Sequence, residues 1–83
     1  MAAEADNQRC IGRNIRIARE KSGRTQEDVA AEAGMHPTAL SMIETGSREA
    51  RIDSIIRLAF ALDVEPGAFF ARVKRPRGRR PRR

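Results

Sequence analysis

Two stretches of this chain hold residues whose types and spacing could do chemistry. One is KRPRGRRPRR, Lys74 to Arg83, where Arg75, Arg77, Arg79 and Arg80 surround Pro76 and Gly78. Guanidinium groups on an extended, proline-stiffened backbone suit phosphate, which accepts their forked N–H donors. The other lies further in. Gln26 stands where a helix would begin, so its amide would join the free N–H groups and partial positive charge of that helix end, a seat for an anion. Thr38, Ser41, Arg48 and Arg51 add hydroxyl donors and two more cations downstream. None of this makes or breaks covalent bonds. With one cysteine, Cys10, and one histidine, His36, the chain offers no nucleophile–base pair, carboxylate dyad or metal cluster. No enzyme, metal or cofactor is expected.

The elements that must position these groups are legible between Thr25 and Gly46. Val29, Ala30 and Ala33 recur three and four residues apart, giving one helix a small apolar face, and Leu40 and Ile43 do the same for a second. Gly34 sits where the chain leaves the first helix and needs a left-handed turn. Pro37 falls in the first turn of the second, where its fixed φ helps and its missing N–H costs nothing. Two short helices joined by a tight turn are predicted.

With Gln26, Ala30, Gly34-Met35, Leu40, Ser41, Ile43 and Glu44-Thr45-Gly46 at fixed spacing, the segment resembles the phage-repressor/Cro-like (XRE) helix-turn-helix family of DNA-binding proteins. The resemblance runs from about Ile11 to about Phe70. It implies an all-α, five-helix repressor-like domain, and periodicity points the same way. Helix 1 is expected from Arg9 to Ser22, with Ile11, Ile15, Ala18 and Ser22 inward and Gly23 as its C-cap. Thr25 caps helix 2, with Asp28 completing a weakened capping box. His36 caps helix 3, where the family usually has Ser or Thr. Helix 4 is expected over 52–62, burying Ile52, Ile55, Ile56, Ala59 and Leu62. Asp63 stands where the family often has Gly. Val64 inserts into the core, and helix 5 spans 66–72. Residues 1–8 show no periodicity and are expected as a disordered leader; 9–72 form the domain and 73–83 a disordered basic tail.

The length of 83 residues allows one small domain with a thin core. There is no membrane-crossing apolar run and no signal-peptide core, and a lone cysteine fits a reducing compartment, so a cytoplasmic, bacterial nucleoid-associated protein is expected. The net charge of +6 is unevenly shared. Up to Ala71 nine Lys/Arg face all eleven Asp/Glu, a net −2, whereas from Arg72 onward eight Lys/Arg meet no acid, a net +8.

The family's roles carry over residue by residue. The resemblance implies that Gln26 clamps a phosphate and that helix 3 lies in the major groove of double-stranded DNA, presenting His36, Pro37, Thr38, Ser41 and Met42. This reader set holds no Arg, Asn or Gln able to make bidentate pairs with guanine or adenine. Arg48 and Arg51 would lie along the phosphate backbone, with Arg13 and Arg16 as further contacts. Arg19 and Glu44 would pair across helices 1 and 3, a structural role. In the tail, Pro76-Arg77-Gly78-Arg79 resembles the core of an AT-hook, with Arg80 inserted before Pro81. That motif seats Gly and its flanking Arg in narrow A–T minor grooves; a nonspecific phosphate-binding arm is the alternative.

Some positions depart from the family. Arg24 takes a site usually apolar, and Ile17 and Phe60 fall where polar side chains are usual. Phe60, Phe69 and Phe70 could supply a dimer interface, with one of the last two closing the core. The expectation is a homodimeric, sequence-specific DNA-binding transcriptional regulator, a repressor or autoregulator, with no small-molecule ligand and no membrane partner. An adaptor or protein/RNA-interaction module on the same fold is the alternative.

Overall fold

The structure is a computed structural model that describes residues 2–75. Four α-helices, α1 (Ala2–Lys21), α2 (Gln26–Ala33), α3 (Pro37–Thr45) and α4 (Ile52–Leu62), are followed by a 3-10 helix, Pro66–Phe70. The expected fifth α-helix is this 3-10 turn, which ends at Phe70 because Ala71 returns to an extended conformation. No strand occurs among the described residues. None of their helices is long and apolar enough to cross a membrane.

α1 begins at Ala2, ahead of the Arg9 expected, so most of the predicted leader is helical. Ala2, Ala3, Glu4 and Ala5 are strong helix formers, and propensity needs no apolar stripe. Ser22 lies beyond the helix and is exposed, its hydroxyl donating to the Arg19 carbonyl. Thr25 Oγ1 accepts from the Asp28 N–H at 3.0 Å and caps α2. Gly34 (φ 71°) ends that helix, and Met35 N–H then reaches back to the Ala30 carbonyl. His36 Nδ1 accepts a long bond from Thr38 N–H, 3.4 Å, at the start of α3, with Pro37 in its first turn.

The core is built from Ile15 of α1, Val29, Ala30 and Ala33 of α2, and Leu40 and Ile43 of α3. α4 contributes Ile55, Leu58, Ala59, Ala61 and Leu62, and the 3-10 helix Phe69. Of the α4 residues expected inward, Ile55, Ala59 and Leu62 are buried and Ile52 and Ile56 are not; Leu58 and Ala61 complete the inner face. Ile52 is 77% exposed and Ile56 also faces out. The expected and observed stripes share their centre, and an α4 apolar on both sides does not say where the inner face ends. Phe69, only 1% exposed, is a core residue and cannot belong to an interface. Ile17, Phe60 and Phe70 remain on the surface.

Gly12 decides how α1 meets α3. A Cβ there would stand 2.0 Å from the Ile43 carbonyl oxygen and 3.0 Å from that of Glu44, so only glycine allows this backbone approach. The glycine inside a helical pattern was its sequence signal.

Candidate nucleic-acid interface

Three helix-borne side chains and one loop carbonyl converge where α1, α2 and α3 meet. The Glu44 carboxylate, buried, accepts from Arg19 Nε at 2.7 Å on one oxygen and from Arg19 Nη2 at 3.0 Å on the other. Gln26 Nε2 donates to that second oxygen at 2.8 Å. Arg19 Nη1 turns to the Arg24 carbonyl at 2.9 Å, so the loop before α2 is held as well. Hydrogen bonding to Glu44 raises the Arg19 pKa above its ordinary value, against the opposing effect of burial. The guanidinium is thus a fixed cation, and the network locks α3 to both other helices. Gln26, expected at phosphate, spends one amide N–H on this lock and keeps a second donor.

α3 presents its other side outward. Thr38 is exposed, as is His36, whereas Pro37, Ser41 and Met42 are half-buried. The chain after α3 is tied back to it. Ser47 N–H and Arg48 N–H both donate to the Met42 carbonyl, at 3.0 and 3.2 Å, and Ser47 Oγ donates there too. Arg48 therefore leaves a fixed point at the end of α3. Arg51 follows at the N-cap of α4, with no capping bond from its side chain. Both are exposed, and among the described residues neither joins an ion pair.

The other surface arginines differ. Arg16 is paired with Glu20, Arg57 with Asp53, Arg9 with Asp6 and Arg24 with Glu32. Arg24 also donates to the Ala61 carbonyl, so its stem covers the place where the family has an apolar residue. Among the described residues Arg13 has no such partner. Arg75 is exposed at the end of the described chain, and Arg77, Gly78, Arg79 and Arg80 lie outside the described residues.

Two helix N-termini, a reader face and a tethered cationic loop therefore share one frame, with its buried charges neutralised inside. The helix-turn-helix family HTH_3 matches residues 15–69, which spans the whole frame. The chain belongs to this helix-turn-helix family. Control protein C.BamHI of Bacillus amyloliquefaciens is 41% identical over 54 residues, 65% of this chain and 64% of that protein's length. The uncharacterized HTH-type transcriptional regulator y4dJ of Sinorhizobium fredii is 36% identical over 59 residues, 71% and 77% of the two chains. The crystal structure of restriction-modification controller protein C.AhdI from Aeromonas hydrophila superposes with a TM-score of 0.76 at 31% identity, covering 78% of this chain and 98% of that one. The clp gene regulator ClgR from C. glutamicum, 22% identical with a TM-score of 0.72, shares the fold. The chain thus carries a helix-turn-helix domain of the kind found in control proteins and transcriptional regulators, and it spans 64% of the length of the control protein it matches.

Proposed function

We propose that the protein is a small controller-type regulator, a repressor or autoregulator, that reads a palindromic operator as a homodimer. The observation that carries the reading is that Gln26 at the α2 N-terminus and the backbone leading into the Arg48–Arg51 loop are both hydrogen-bonded to α3. On this reading α3 enters the major groove. Thr38 and Ser41 hydrogen-bond base edges, Pro37 and Met42 press on apolar groups such as the thymine methyl, and His36 caps the helix beside phosphate. Gln26, with its remaining N–H, and Arg48 and Arg51 hold the backbone. Arg75, Arg77, Gly78, Arg79 and Arg80 follow the duplex as an AT-hook-like or phosphate-bound arm. The restriction-modification controller among the similar structures supports the controller assignment.

Ile52, Ile56 and Phe60 form an exposed apolar row along α4, four residues apart, and support self-association there. A shallow groove lined by Ala33, Gly34, Ile56 and Phe60 lies beside the row and can take the partner's Phe60. Dimerisation would place two reader helices about 34–36 Å apart, one turn of duplex. The protein would then work at the nucleoid.

Selection of bound sequences from a random duplex pool, with the full chain and with a chain ending at Val73, tests the proposal. A palindromic consensus is expected from both, with weaker binding and any A–T-rich flank lost on truncation. An unenriched pool would remove sequence-specific regulation and leave the adaptor reading.

A further inference from the structure

The chain beyond the 3-10 helix is not left loose against α1. Asn14 Nδ2 donates to the carbonyls of Phe69 and Ala71, at 2.9 and 2.8 Å. Asn7 closes a two-way bond with Lys74, its Nδ2 donating to the Lys74 carbonyl and its Oδ1 accepting the Lys74 N–H, both at 2.8 Å. Asn7 and Asn14 lie two turns apart on one side of α1, so they grip a backbone running antiparallel to the helix. Arg72 is held at φ 67°, a conformation that favours glycine.

The grip creates an open groove of about 750 Å³ whose lining includes Arg9, Arg13, Arg72 and Lys74 and, among the described residues, a single acid, Asp6. Asp6 is already paired with Arg9; among the described residues, Arg13, Arg72 and Lys74 have no acidic partner. Like charges gathered on one wall repel, and a polyanion removes that cost. The groove also connects to the reader side of the molecule. Arg9 packs directly on Gly46, where a Cβ would meet its Cγ at 2.5 Å, and Gln8 Nε2 donates to the Gly46 carbonyl at 3.2 Å. Gly46 is the C-cap of α3, two residues before Arg48.

We propose that the groove between α1 and Ala71–Arg75 is a second phosphate-binding surface, which takes the DNA backbone flanking the site under α3. The proposal rests on the DNA-reading function above. Arg13, Arg72 and Lys74 neutralise phosphates, and Asn7 and Asn14 are positioning residues that hold the two tail-side cations in place. The basic tail would thereby start along the duplex rather than away from it.

The test compares two duplexes carrying the selected consensus, one trimmed at its edges and one extended by about a turn on each side. The full chain is compared with R72G/K74A, in which glycine preserves the backbone at position 72 and the Asn7 bonds to the backbone of residue 74 remain, and with N7A. The double variant is expected to bind the trimmed duplex as wild type does, to bind the extended one at least tenfold more weakly, and to flatten its salt slope by about 1.8. N7A, which removes no charge, should flatten the same slope on the extended duplex only. Wild-type affinity and slope for the double variant on the extended duplex would overturn the groove alone. So would equal losses on both duplexes, since the deficit would then not be flanking. Wild-type protein that binds neither duplex would overturn the DNA reading and the groove with it. Unchanged melting temperatures guard against misfolding as the cause.

Discussion

Gln26 Nε2 donates to Glu44 Oε1 at 2.8 Å, sharing that carboxylate oxygen with Arg19 Nη2. A group proposed to hold DNA phosphate thus rests on the ion pair that holds the scaffold together. Binding and folding energetics meet at this one oxygen.

Removing the carboxylate should be costly. Glu44→Ala leaves the Arg19 guanidinium without its counter-ion in a mostly enclosed place, a loss of about 3–5 kcal/mol. That is a large share of the stability of so small a domain. Thermal denaturation followed by circular dichroism should show a fall of about 12 °C or more. An unchanged midpoint would mean the pair contributes nothing net.

Gln26→Ala should separate the two roles of that side chain. Arg19 keeps both bonds to Glu44, so stability should drop by only about 1 kcal/mol. Affinity for the selected duplex should fall about tenfold at a temperature where the variant is fully folded. Because the amide is neutral, the salt slope should not change, which distinguishes it from an arginine contact. A stability loss with undiminished affinity would confine Gln26 to the scaffold.

Arg48→Ala and Arg51→Ala should behave in the opposite way. Both side chains are exposed and, among the described residues, outside any ion pair, so melting temperatures should stay within about 2 °C. Each should flatten the dependence of log K on log salt by about 0.9, across all sequences alike. Filter binding or fluorescence anisotropy over a salt series measures this, and a wild-type slope would take that arginine off the phosphates.

Phe60→Asp tests self-association. The side chain is 78% exposed, so the domain should fold normally, while a charge at the C-terminal end of the α4 row should hold the protein monomeric in sedimentation equilibrium. It should also weaken binding to a palindrome far more than to a half-site. A wild-type protein that sediments as a monomer at operator-binding concentrations would sink the dimer outright.

The parts of the fold that were legible in sequence are those set by local rules. Gly34, Pro37 and Thr25 mark helix ends through backbone conformation and capping, and the structure places the ends there. The inner face of α4 was legible only in part, through Ile55, Ala59 and Leu62, because Ile52, Ile56 and Phe60 are as apolar as the stripe that packs. Which face is buried depends on α2 and the 3-10 helix, neither of which is local to it. The start of α1 was missed because an alanine-rich segment can be helical without showing an inner face. At the interface, residue types identified Arg19 with Glu44 through the family pattern. Gln26 joining them, and Asn7 and Asn14 gripping the chain near Lys74, are contacts between distant segments that no spacing announces.

Gly12 lets the carbonyls of Ile43 and Glu44 rest against the backbone of α1, with no side chain between. The seat of α3 is therefore independent of what its outer face carries. Thr38, Ser41 and Met42 can be exchanged for other side chains while the helix keeps its place, as a key blank is recut without altering the bow. A library free at exposed Thr38, and held to side chains of similar size at half-buried Ser41 and Met42, would yield regulators that differ in the sequence they open and share one scaffold.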